Sequence, residues 1–154
     1  MITVIQRSRA ARVCVGGEVV GQIDHGVVAL VCAVQGDGPQ QAERLAERVL
    51  GYRVFPDAAG RMNRSALDLA CGVLAVPQFT LAADTRKGMR PSFGPAADPQ
   101  TGEALFDAFL TALRHRAAGP VAAGVFGADM QVELVNDGPV TFWLEAPPSG
   151  AGAV

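Results

Sequence analysis

The amino-acid sequence predicts a mixed α/β or α+β layered domain, and three observations carry this. The chain has 154 residues, and a chain of roughly that length buries about two-thirds of its unfolded surface. Apolar residues make up 49% of it and charged residues 18%, which excludes wholesale disorder. Strand-like runs, roughly eight of them, are interleaved with two stretches of helical period.

Met1 to Gln6 reads as the first strand. Arg12 to Val15, Gly16-Gly17 and Glu18 to Ile23 read as a hairpin, because Gly-Gly supplies the positive φ of a tight turn. Gly26 to Val34 is apolar on both faces, hence a central strand. Gly36-Asp37-Gly38 is a loop without the later glycine and Lys-Ser/Thr of a phosphate loop. Pro39 suits a first helical position, and Ala42, Leu45, Ala46, Val49 and Leu50 follow at helical spacing up to Gly51. Arg53 to Phe55 is a short strand, Asp57 to Gly60 a turn, and Ser65 to Leu69 a short turn or helix. Gly72 to Leu81 is an apolar strand interrupted by Pro77. A long loop rich in Gly, Pro and charge spans Ala82 to Pro99, and such loops are often functional. A second helix runs from about Gln100 to Ala118, with Arg114, His115 and Arg116 suiting its C-terminal dipole and Gly119-Pro120 ending it. Val121–Phe126, Met130–Val135 and Val140–Leu144 are further strands, the last two separated by Asn136-Asp137-Gly138-Pro139. Pro147 to Val154 is expected to be a disordered tail, which leaves 1–146 as the domain.

The longest uninterrupted apolar run, Val27 to Val34, is far short of the ~20 residues of a membrane span. No basic-then-apolar leader opens the chain, so a soluble cytoplasmic protein is expected. Cys14, Cys32 and Cys71 have no CxxC spacing and read as small thiols in a reducing compartment. His25 and His115 have no neighbouring ligands, so a metal site is not expected. The net charge of −2 hides an asymmetry: every Lys and Arg lies at or before Arg116. Two basic clusters stand out, Arg7, Arg9 and Arg12, and Arg86, Lys87 and Arg90. Each could grip phosphates or form a solvated face.

HExxH, GxSxG and a helix-opening GxGxxG are absent. Two segments remain. Pro77-Gln78-Phe79-Thr80-Leu81-Ala82-Ala83-Asp84 puts polar groups where a strand exits into the basic loop; it suits a ligand or a plain capped strand end. Asn136-Asp137-Gly138-Pro139-Val140-Thr141 is a turn between strands, in which a cis Gly138–Pro139 bond has a prior of only ~5% from bond statistics.

On these segments the sequence resembles the D-aminoacyl-tRNA deacylase family. The likeness runs through Ile5-Gln6-Arg7, Arg48-Val49-Leu50-Gly51-Tyr52-Arg53, Asp57 to Asn63, Gln78-Phe79-Thr80-Leu81-Ala82-Ala83-Asp84 and Gly88-Met89-Arg90-Pro91-Ser92-Phe93. It ends with Ala128-Asp129-Met130-Gln131-Val132 and Asn136-Asp137-Gly138-Pro139-Val140-Thr141. The resemblance implies an ester hydrolase that frees tRNA from D-amino acids and from glycine, without metal or organic cofactor. It implies a homodimer of largely antiparallel sheets in a layered β–β–α domain with two main helices. Gly138 and Pro139 would be joined by a cis bond and enter the partner's active site, excluding an L side chain, with Arg7 holding that element. Gln78 and Met130 would join the substrate site. Arg86, Lys87 and Arg90 are expected to contact tRNA phosphates on a different ground: they are a basic cluster flanking that site. The sequence departs from the family at Pro77, where the family carries serine; proline lacks both the hydroxyl and a backbone N–H.

An aminoacyl ester is already activated, so orientation and oxyanion donors can suffice. The N–H groups of Phe79 and Thr80 are the candidate donors. Water is favoured as nucleophile over the Thr80 hydroxyl, because no base is visibly paired with it. The rival readings are a deacylase aimed mainly at glycyl or other mischarged tRNA, and a non-catalytic RNA-binding module.

Overall fold

A computed structural model describes residues 1–148, so the expected tail lies outside the described residues from residue 149 onward. Strand β1 (Ile2–Val15) organises the sheet. The sequence suggests two strands here, but the link between them is also extended, because it is paired: Ser8 lies opposite Gly26 on one edge and Asn136 on the other. Along the first edge, Ile2 to Ser8 pair with β3 (Gly26–Cys32), and Ala11 to Val15 pair with β2 (Glu18–Ile23). The β1–β2 turn is Gly16-Gly17, with positive φ at both residues. Along the other edge runs β8 (Gln131–Glu145). β3 continues in parallel to β6 (Gly72–Pro77), and β6 to β7 (Val121–Ala123). Between α1 (Pro39–Gly51) and β6 lie a small hairpin, β4 (Phe55–Pro56) with β5 (Met62–Arg64), and the one-turn helix α2 (Ala66–Leu69).

β3 and β6 are buried on both faces, and alternate residues serve two cores. Val27, Ala29, Val31, Val73 and Ala75 pack beneath α1 (Pro39–Gly51) and α3 (Pro99–Arg116). Val28, Leu74 and Val76 pack against Ala11, Val13 and Ile23 of the β1–β2 hairpin, which folds across the opposite face. The result is the expected β–β–α layering. Each fully buried Val or Leu contributes about 1.5–3 kcal/mol of transfer free energy. Both main helices begin as their sequences indicate. Pro39 opens α1, with the Gly38 N–H donating to Gln41 Oε1 at 2.9 Å, and Asp98 caps α3 by accepting from the Thr101 N–H at 3.0 Å.

Several strand limits differ from the sequence reading. β3 ends at Cys32 rather than Val34, and the short strand expected over Arg53–Phe55 is Phe55–Pro56. β6 stops at Pro77 and turns, rather than reaching Leu81. β7 stops at Ala123 rather than Phe126. Its last ladder bond runs from the Gly124 N–H to the Ala75 carbonyl; the next would need an N–H at position 77, which proline lacks. The two strands expected over Met130–Val135 and Val140–Leu144 are one. Gln131 to Glu145 is the single strand β8, because β1 is long enough to pair with both halves; the Asn136–Pro139 segment bulges out of that strand.

Candidate active site

The first half of the site is the exit of β6. The Gln78 N–H donates to the Val31 carbonyl at 2.8 Å, which carries the ladder one residue past Pro77. The chain then winds into a 3₁₀ turn, Phe79–Ala82. Its bonds run from the Leu81 N–H to Gln78 O and from the Ala83 N–H to Thr80 O, at 3.2 and 3.1 Å. The first N–H groups of a helical turn have no partner within it. Those of Phe79 and Thr80 accordingly find no acceptor among the described residues. The Gln78 side-chain amide donates to the Thr80 hydroxyl oxygen, so that hydroxyl faces an amide and not a base.

Phe79 is 57% exposed, and its ring meets Phe93 edge-on at 5.0 Å. Behind the turn, the Cys32 thiol lies near the Phe79 carbonyl, and burial pushes the thiol up to about 11. A narrow cleft of about 30 Å³ between Val31, Cys32, Gln78, Phe79, Phe106 and Phe126 adjoins it. Met130 sits farther back, its sulfur accepting from the Val125 N–H at 3.4 Å and packing with the second core.

The basic loop leaves this turn and is closed by paired backbone bonds between Asp84 and Ser92, 2.7 and 3.1 Å. Arg86 grips the Asp84 carboxylate through two nitrogens at 2.8 and 2.7 Å and holds that carboxyl far below the usual carboxylate range. Lys87 and Arg90 are exposed, with no ion pair among the described residues. The other basic cluster is consumed internally. Arg7 and Arg9 both pair with Asp137, and Arg12 forks onto Glu133. Arg9 and Arg12 are thus neutralised by partners more than a hundred residues away, which no local charge count shows.

The second half is the bulge of β8. Between Gln6–Thr141 and Ser8–Asn136, β1 advances two residues while β8 advances five. The surplus loops outward, and within it the Gly138–Pro139 bond is cis. Arg7 braces the loop: its Nε donates to the Asp137 carbonyl at 2.9 Å and its Nη1 to the Val54 carbonyl at 2.6 Å. Asn136 closes the neck, its amide nitrogen donating to the Arg7 and Val140 carbonyls at 3.0 and 3.1 Å. Asn136 and Asp137 were visible in the motif, but nothing in sequence shows that they clamp it. Gly138 has φ +153°, and a Cβ there would lie 2.6 Å from Val140 N and Cγ2, so only glycine fits.

Within one chain the two halves are apart. Arg7 is level with Val27 and Val73, four residues before Pro77 on β6, or about 13 Å along the strands. Among the described residues no three His, Cys, Asp or Glu side chains are grouped to hold a metal ion, and no helix is long and apolar enough to cross a membrane.

The comparisons with known proteins now decide the family. Residues 4–145 match the D-Tyr-tRNA(Tyr) deacylase family model. The chain belongs to this D-aminoacyl-tRNA deacylase family of hydrolases. It is 84% identical over 154 residues to the D-aminoacyl-tRNA deacylase of Halorhodospira halophila (strain DSM 244 / SL1), covering 100% of both chains. It is 63% identical over 151 residues to that of Alkalilimnicola ehrlichii (strain ATCC BAA-1101 / DSM 17681 / MLHE-1), covering 98% of this chain and 100% of the other. Among solved structures, the c-Myc DNA unwinding element binding protein superposes with a TM-score of 0.90 at 37% identity, over 96% of this chain and 99% of that one. A probable eukaryotic D-amino acid tRNA deacylase shares the fold, with a TM-score of 0.79 at 16% identity over 94% and 98% of the two chains.

Proposed function

We propose that this deacylase hydrolyses the ester of D-aminoacyl-tRNA, and of glycyl-tRNA, as a homodimer in the cytoplasm. The observation that carries the chemistry is the pair of unpartnered N–H groups at Phe79 and Thr80. Fixed donors of this kind stabilise the charge that develops on a scissile carbonyl oxygen. Thr80 acts through its backbone, since its hydroxyl is met by the Gln78 amide. Water attacks the carbonyl, and the tRNA hydroxyl leaves. Gln78 lines the substrate side of this turn, and Met130 supports the substrate site from behind, packed on the second core.

Chirality is read by backbone. Gly138 and Pro139, braced by Arg7 and Asn136, enter the partner's site and occupy the space an L side chain would need. Steric exclusion of a Cβ does not depend on the side chain beyond it, so many D-amino acids are accepted. Glycine has no Cβ and passes the same filter. The intrachain separation of bulge and 3₁₀ turn favours completion of the site by a second copy. So does the outer edge of β8, which has no strand partner among the described residues and displays Val135 and Trp143, 57% and 49% exposed.

The experiment is hydrolysis of D-Tyr-tRNA, Gly-tRNA and L-Tyr-tRNA by the wild-type protein. Release of tRNA from the first two and not the third is expected. Preference for Gly-tRNA alone would favour the glycyl reading, and binding without turnover of any ester would make the chain an RNA-binding module.

A further inference from the structure

Among the described residues, ion pairs take up Arg7, Arg9, Arg12, Arg44, Arg86 and Arg116, but not Arg53, Arg61 or Arg64. Those three are exposed and share one small hairpin: Arg53 at its entry, Arg61 at its turn and Arg64 opposite Phe55 in its ladder. The local carboxylates are engaged elsewhere. Asp57 accepts from the N–H groups of Ala59 and Arg61 and from Asn63 Nδ2, at 2.8, 2.9 and 2.8 Å. Asp68 accepts from Ser65 N and Oγ at 2.8 and 2.9 Å; it also attracts Arg64 and Arg53, and Arg64 Nη2 donates to the Asp68 carbonyl at 3.4 Å, but neither arginine forms an ion pair with the carboxylate. The hairpin's root is tied to the β8 bulge, because the Arg7 guanidinium that holds the Asp137 carbonyl also holds Val54.

We infer that the β4–β5 hairpin is a phosphate-gripping surface for the substrate tRNA, with Arg53, Arg61 and Arg64 as its contacts. This rests on the proposed reading of the bulge as part of the substrate site: a hairpin fixed beside that element lies next to the bound acceptor end. Unpaired guanidiniums there meet a backbone that carries one charge per nucleotide, and each contact releases counterions. The sequence hides this cluster, since its three arginines are spread between positions 53 and 64.

The test is the triple variant R53Q/R61Q/R64Q, with affinity for uncharged tRNA measured across salt and hydrolysis of a D-tyrosyl ester of adenosine measured beside it. The expected result is at least about tenfold weaker tRNA binding at low salt, and a log–log salt slope shallower by about two. Hydrolysis of the short ester, which has no tRNA body, stays at the wild-type rate. Unchanged affinity and slope would overturn the inference, and so would an equal loss on the short ester. Binding is read without turnover, so a wild type inert on D-Tyr-tRNA would refute the reading of the site separately.

Discussion

Position 77 shows how one side chain sets the limits of two strands. Proline ends the β6 ladder toward β7 and places the turn that orients the Phe79 and Thr80 N–H groups. The serine usual in the family is therefore dispensable if those N–H groups carry the reaction. Wild-type protein is expected to be active, with Pro77→Ser changing kcat/KM by less than about tenfold, or ~1.4 kcal/mol. A protein inert until serine is restored would put the hydroxyl in the mechanism. Gly138 is the second decisive position. A methyl there meets Val140 at 2.6 Å on a backbone of φ +153°. The bulge stands at the sheet's outer edge, outside both cores, so the strain of Gly138→Ala stays local. Far-UV circular dichroism should be unchanged and melting lowered by only a few degrees, while D-Tyr-tRNA hydrolysis falls more than tenfold. Retention of full activity and of L-Tyr rejection would remove the bulge from the site.

At the scale of the element, one carboxylate ties the turn of the β4–β5 hairpin, beside the backbone bonds from the Asp57 N–H to the Arg61 carbonyl and from the Gly60 N–H to the Asp57 carbonyl. Asp57 is lowered below the usual carboxylate range, first by the Asn63 amide and then by the Arg61 N–H. A carboxyl whose folded value is depressed adds stability above its unfolded value of about 3.9, and loses it as pH falls through the folded value. The hairpin should thus be intact at pH 7 and open only in acid below the ordinary carboxylate range. The protection factors of the Ala59 and Arg61 amides, followed by NMR exchange, should fall over that window and be lost at pH 7 in Asp57→Ala. Protection that persists in the variant would show that the turn stands without the carboxylate.

For the whole molecule, we propose the loop from Asp84 to Ser92 as a second surface that meets the tRNA. Arg86 is already paired with Asp84, so Lys87 and Arg90 should supply most of the phosphate attraction. The R86A/K87A/R90A variant is expected to bind tRNA more weakly with a salt slope shallower by about one to two, less than three free cations would give. An unchanged slope would mean that the loop is only a solvated face.

Local chemistry alone determined much of this protein. A continuous apolar run placed β3, and period-3.6 patterns placed α1 and α3, because a residue's face follows from its spacing along a helix. Gly16-Gly17, Pro39 and Gly119-Pro120 marked boundaries through φ and the missing N–H, which are properties of single residues. The Gln78–Thr80 and Gly138–Pro139 motifs pointed to the family, and that resemblance already implied that Arg7 holds the Gly138–Pro139 element, as its bond to the Asp137 carbonyl does. Only the tertiary structure decided that β8 is one bulged strand, that Asn136 closes the neck of the bulge, and which cations are spent. Each depends on partners far apart in the chain, such as Arg7 and Asp137 at a separation of 130 residues, and no local pattern encodes such pairings.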